Sequence, residues 1–234
     1  RCFLSCYMVG ASFAQSNVKL MSYNIRYDIT TSNASPWTER HTAIAGQIKR
    51  FDADIVGMQE VLDHQREQLL SDLPEYASIG VGRDDGQKAG EYAPIFYKEE
   101  RYGLMNSGTF WLSPTPEVPS KGWDAALNRI CTYAQFFDLE SKESFWVFNT
   151  HLDHIGELAR TRGLELILSK IQQLNTNKQP VIFMGDFNSE PQEERIIALK
   201  RVMDDTREVS IEHPFGPIGT FNNFEFHNPV TKRI

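Results

Sequence analysis

Apolar and polar positions alternate along Val18–Tyr23 (VKLMSY), the period of a half-buried strand. After Ser35-Pro36 the period changes. Ile44, Ile48 and Phe51 stand at i, i+4 and i+7, which predicts an amphipathic helix over Trp37–Phe51 with those three facing a core. Asp54–Gln59 (DIVGMQ) is almost continuously apolar, as in a strand covered on both faces. Asp63–Leu70 reads as a helix. Tyr76–Val81, Ala93–Tyr97, Thr109–Leu112, Thr132–Leu139 and Phe145–Thr150 read as strands, separated by segments rich in Gly, Pro, Asp and Ser. Leu164, Ile167, Leu168, Ile171 and Leu174 share one face of Glu157–Leu174, the clearest helix; Val181–Met184 reads as a buried strand and Glu193–Val202 as a helix. With no repeat, heptad or linker in between, the pattern implies one domain over residues 16–234. Its class is α/β (α+β), with two facing sheets covered by helices on their outer sides.

Composition narrows the class. The chain has 234 residues, 41% hydrophobic and 24% charged, which excludes a disordered or fibrous protein. Its 24 Lys+Arg against 31 Asp+Glu give a net charge of −7. That is a poor balance for gripping long nucleic acid by counterion release, yet it leaves a phosphate substrate open, because a bound cation inverts the local field. No apolar run approaches the roughly 20 residues of a membrane span. Residues 1–15 begin with Arg1, are apolar or small from Cys2 to Ala14, and end in Ser12-Phe13-Ala14. This is the pattern of a secretory leader, with a buried first strand as the alternative, and the expectation is a secreted or periplasmic protein. Cys2 and Cys6 fall in that leader. Cys131 alone remains beyond it, in the strand-like run Ile130–Ala134, where packing is a better expectation than nucleophilic chemistry.

Polar residues recur where apolar strands finish. The first runs into Asn24, the second into Gln59-Glu60, another into Asn149-Thr150-His151-Leu152-Asp153-His154, and a fourth into Gly185-Asp186-Phe187-Asn188. Singly these are ordinary: a Glu after a strand is usually a cap, and Asp-x-Asn favours turns. If the ends converge, they form a cluster of hard oxygen ligands and proton carriers suited to Mg²⁺, which takes one or two carboxylates and completes its octahedron with water and substrate. No Cys cluster, H-E-x-x-H, P-loop or G-x-S-x-G elbow competes with that reading.

The blocks MSYNIRYD, VGMQE, FNTHLDH and MGDFNSEP, in this order, resemble the endonuclease/exonuclease/phosphatase family, the superfamily of deoxyribonuclease I, in its secreted bacterial form. GRDDGQKAGEYAPIFYK at Gly82–Lys98, NRICTYAQF at Asn128–Phe136 and GPIGTFNNF at Gly216–Phe224 extend the likeness from about Val18 to the last residue. The resemblance implies a four-layer α/β/β/α sandwich of two mixed sheets. It assigns Asn24 and Glu60 to a metal site with Glu60 as principal carboxylate, and His151 to contact with the scissile phosphate. Asp186 orients or deprotonates the attacking water, and Asn188 holds phosphoryl oxygens. Arg83, Tyr92 and Arg129 are placed along the substrate cleft. It also implies a further D-Y-I-F strand and an S-D-H motif, whereas this chain stops at Lys232-Arg233-Ile234, which reads as the start of a strand. The expectation is that the domain as given lacks that strand and motif and with them most of its activity, which the full-length protein would have.

The implied activity is Mg²⁺- or Mn²⁺-dependent hydrolysis of a phosphoester by in-line attack of water, on a small molecule, a lipid head group or nucleic acid; a monomer is the default expectation. The scattered placement of Arg83, Lys88, Lys98 and Arg101 and the −7 balance favour a small or lipid phosphoester over nucleic acid. The competing reading is a binding module that keeps the fold without catalysis, with Trp37, Trp111, Trp123 and Trp146 as platforms, although most of these belong to the expected core.

Overall fold

The computed structural model describes residues 17–29, 35–217, 219–221, 230 and 233–234. The expected leader at 1–15, four of the nine residues of the Gly216–Phe224 block and two of the last five residues lie outside the described residues. The elements are β1 (Leu20–Asn24), α1 (Trp37–Phe51), β2 (Ile55–Gln59), α2 (Asp63–Asp72), β3 (Tyr76–Ile79), β4 (Ile95–Lys98), β5 (Tyr102–Trp111), β6 (Ile130–Asp138), β7 (Ser144–His151), α3 (Glu157–Leu174), β8 (Val181–Asp186) and α4 (Glu194–Leu199). Among the described residues they build two four-stranded sheets, ordered β1-β2-β4-β3 and β5-β6-β7-β8. Each is mixed: β1 runs parallel to β2 and β7 parallel to β8, while the other pairings are antiparallel.

Side-chain alternation explains the layering. In β2, Val56 and Met58 point to a core shared with Ile44, Ile48 and Leu69 of α1 and α2. Ile55 points the other way, into a core formed with Ile95 and Tyr97 of its own sheet and Phe136, Val147 and Met184 of the second. On the far side of the second sheet, Trp146 and Phe148 meet Leu164 and Ile167 of α3 and Ile196 and Leu199 of α4. The result is the expected α/β/β/α sandwich, in which β2 is buried along its whole length as its apolar run requires. Trp37, Trp111 and Trp146 are core residues, and Cys131 is a free, fully buried cysteine.

Two details depart from the sequence pattern. Phe51 is 64% exposed; α1 instead buries Trp37, Ile44, Ala45 and Ile48. The helix stops at Asp52, whose φ of 52° is left-handed, and Phe51 lies on the outer side of that last turn. β5 starts at Tyr102 rather than Thr109, because its middle, Leu104–Ser107, is exposed and interrupted by an irregularity between Leu104 and Asn106 that hides any alternation. No described helix is long and apolar enough to cross a membrane.

Because β1/β2 and β7/β8 are the parallel pairs, the carboxyl ends of four strands reach the same end of the sandwich. The register places Asn24 beside Gln59 in one sheet and His151 beside Asp186 in the other. β1 also packs against β8 across the interface.

Candidate active site

The strand ends carry unusual backbone. Arg26, Glu60 and Asn188 have φ of 59°, 59° and 46°, a left-handed conformation that costs a non-glycine residue about 1–3 kcal/mol. Each turn redirects the chain just after its strand, so side chains that would otherwise continue along the sheet converge over its end.

The five residues expected at the centre are all brought together. Asn24 Nδ2 donates to Glu60 Oε1 and to Asp186 Oδ2, both at 2.9 Å, and so joins the first sheet to the second. Asn24 Oδ1 accepts from Arg26 N at 3.0 Å, and Glu60 Oε2 from Tyr27 N at 3.3 Å. Asp186 Oδ1 accepts from Asn188 N at 3.1 Å. Asn188 Nδ2 donates to Leu152 O at 3.0 Å and to His151 Nε2 at 3.1 Å. His151 Nε2 lies 3.9 Å from Asp186 Oδ2. With Nε2 accepting from Asn188, the neutral imidazole carries its proton on Nδ1.

The expected cleft residues surround the other side of His151. Arg83, Tyr92, Arg129 and His151 line a small cavity together with Glu91 and Asn128; at about 10 Å³ it has room for about one water. Each has a protein partner. Arg83 and Glu91 form a two-pronged pair at 2.9 Å and 2.9 Å. Arg129 Nε donates to Asp153 Oδ2 at 3.1 Å and its NH2 to His154 Nδ1 at 2.9 Å. Tyr92 donates its hydroxyl proton towards Asp63 Oδ1 at 2.9 Å and Gln87 O at 2.8 Å, so its polar tip is turned to the loop rather than to the cluster. Among the described residues, Arg129 NH1 and His151 Nδ1 are buried without a hydrogen-bond partner.

Sequence reasoning missed Glu91. It sits in the turn-rich block before β4, where nothing local marks it; its signal is its adjacency to Tyr92 and Arg83 in one loop. Its Oε2 is 3.9 Å from His151 Nδ1. Burial pushes the Glu91 carboxyl up, opposed by the Arg83 guanidinium and assisted by Glu60. Burial, then the positive charges of Arg129 and Arg83, push His151 well below its ordinary value, so the imidazole is neutral at pH 7.

Two carboxylates, Glu60 and Asp186, both accept from Asn24 Nδ2, and turning that amide over would present Asn24 Oδ1, now held by Arg26 N, as a third hard oxygen donor. That set fits Mg²⁺ or Mn²⁺ with water filling the remaining positions. Among the described residues, no group of three or more His, Cys, Asp or Glu side chains is arranged to hold a metal.

Comparison with known proteins identifies the family and the fold. The model of the Endonuclease/Exonuclease/phosphatase family matches residues 21–234. A mannosyl-6-phosphatase from Bacteroides thetaiotaomicron superposes with a TM-score of 0.85 at 37% identity, over 93% of this chain and 83% of that one. An endonuclease/exonuclease/phosphatase from Bacteroides vulgatus superposes with a TM-score of 0.76 at 42% identity, over 79% of this chain and 70% of that one. A probable RNA exonuclease of Saccharomyces cerevisiae is 26% identical over 79% of this chain and 40% of its own length. The first two curated relatives are spanned over only 60% and 40% of their lengths.

Proposed function

The chain belongs to the endonuclease/exonuclease/phosphatase family, whose members hydrolyse phosphoesters, and from that premise we propose that it is a divalent-metal-dependent phosphoester hydrolase. The observation that carries the proposal is the convergence of Asn24, Glu60, His151, Asp186 and Asn188 from four strands of two sheets. Glu60 and Asn24 would hold Mg²⁺ or Mn²⁺, which when bound offsets negative charge on the phosphoryl oxygens and acidifies water. Asp186, tied through Asn24 to Glu60, is placed to orient the attacking water. On substrate entry, the Asn188–His151 hydrogen bond would be exchanged for bonds from these two groups to phosphoryl oxygens, where charge develops. For His151 this needs only the ring proton on Nε2 in place of Nδ1, with the imidazole still neutral. Arg83 and Arg129 add positive potential behind His151 and stay locked to Glu91 and Asp153.

The likeness to a mannosyl-6-phosphatase over nearly the whole chain makes a sugar phosphate monoester the first substrate class to assay, in keeping with the net charge of −7. Export belongs to the same proposal and is supported by the leader-like residues 1–15. The test is hydrolysis by the full-length coding product of sugar phosphates, p-nitrophenyl phosphate and bis-p-nitrophenyl phosphate with Mg²⁺ or Mn²⁺. EDTA should abolish it, and Glu60→Ala and Asp186→Ala should each reduce it by about 10²-fold or more. Activity that survives both substitutions removes the reading.

A further inference from the structure

One layer beneath the site, a buried amide pair crosses the sandwich. Asn149 of β7 is 0% exposed and Gln59 of β2 is 1% exposed. Asn149 Nδ2 donates to Met58 O at 2.8 Å and Pro94 O at 2.9 Å, and its Oδ1 accepts from Gln59 Nε2 at 2.8 Å. Asn149 belongs to the second sheet and all three partners to the chain of the first. Gln59 Nε2 is held further by Gly57 O at 3.1 Å. The crossing needs space, and Gly57 supplies it: a Cβ there would stand 2.8 Å from Asn149 Oδ1.

Deeper in the interface the sheets meet through Ile55, Ile95, Phe136 and Val147, contacts that tolerate small sliding movements. Three hydrogen bonds between fully buried groups do not, because a shift leaves buried donors and carbonyls unsatisfied. The pair is also adjacent to the chemistry. Gln59 immediately precedes Glu60, and Asn149 is two residues before His151, on the same face of β7.

We propose that Asn149 and Gln59 form a positioning pair that sets the register and separation between Glu60 on one sheet and His151 with Asp186 on the other. Its consequence for turnover rests on the phosphoesterase reading; its consequence for the placement of His151 does not.

The test compares Asn149→Ala with Val147→Ala, a cavity two residues earlier on the same strand face. Both are measured in the full-length protein at a temperature where near-ultraviolet circular dichroism shows each folded. The readouts are kcat, KM and the ¹³C-labelled imidazole resonance of His151, assigned with His151→Gln. Asn149→Ala should move the His151 resonance and lower kcat by about 10²-fold, the usual effect of misplacing a catalytic group by about 1 Å, with KM changed less than about threefold. Val147→Ala should leave the resonance in place and kcat within about threefold of wild type. If Asn149→Ala does not fold, Gln59→Met, which removes one of the three bonds, should show the same resonance shift and about a tenfold loss of kcat. A His151 resonance that stays put, or a kcat loss no larger than that of Val147→Ala, overturns the proposal. Should the wild type hydrolyse no phosphoester, the functional reading falls and the resonance alone decides the positioning claim.

Discussion

Gly185→Ala should destabilise the fold and displace the site, and the structure gives the size of the effect. Gly185 pairs with Thr150 in the parallel β7–β8 register, one residue before His151 pairs with Asp186. Its φ is +153°, and a Cβ built on it would lie 2.2 Å from Thr150 O and 3.0 Å from Thr150 C. These are backbone atoms of a buried strand, so relief requires β8 itself to move. The backbone conformation costs an alanine about 1–3 kcal/mol and the overpacking about as much again. At roughly 2–4 °C per kcal/mol for a domain of this size, Tm should fall by roughly 5–20 °C. Because Asp186 and Asn188 follow directly, kcat should drop by about 10²-fold in the protein that remains folded. Thermal unfolding by circular dichroism checks the first expectation, with Gly103→Ala as comparator, since a Cβ at Gly103 meets nothing nearer than Phe137 O at 3.8 Å. A Gly185→Ala variant that melts with Gly103→Ala and wild type refutes the reasoning.

Two further outcomes follow from buried ionisable groups. Burial pushes the Asp153 carboxyl up, but hydrogen bonds from the amides of Gly156, Ala126 and Ile155 and from Arg129 outweigh it and hold the group below its unfolded value. Asp153 therefore adds stability above about pH 4 that is lost as pH falls towards its folded pKa. The difference in urea midpoint between wild type and Asp153→Asn should be widest at pH 7 and shrink below pH 4; a constant difference contradicts this. Burial also raises the Cys131 thiol well above its ordinary value. Peptide mapping after iodoacetamide treatment should find Cys131 unlabelled in the native protein and labelled in urea, and labelling at equal rates would sink the assignment.

Much of this architecture was legible in the chain because the elements that matter most are long or doubly buried. β2 and α3 announce themselves by an unbroken apolar run and a sustained 3.6-residue stripe. The convergence of polar residues was readable as a candidate because Asn24, Glu60, His151 and Asp186 interrupt apolar strands at their carboxyl ends. What the sequence hid is physical in each case. The outward placement of Phe51 follows from how the last turn of α1 ends. The first half of β5 is exposed and irregular, so it has no alternation to read. Glu91 gains its meaning only from a guanidinium eight residues earlier and an imidazole on another sheet. Asn149 was visible as part of a strand end, but nothing in its neighbours says that its amide reaches across to Met58, Pro94 and Gln59.

Anomalous scattering from crystals of the protein soaked in Mn²⁺ tests the central claim most directly. A single strong peak within coordination distance of Glu60, beside Asn24 and Asp186 and lost in Glu60→Ala, is the predicted result. A peak at the charged cluster of Asp52, Asp54 and Glu75 at the opposite end of the sheets, with none at Glu60, would contradict it.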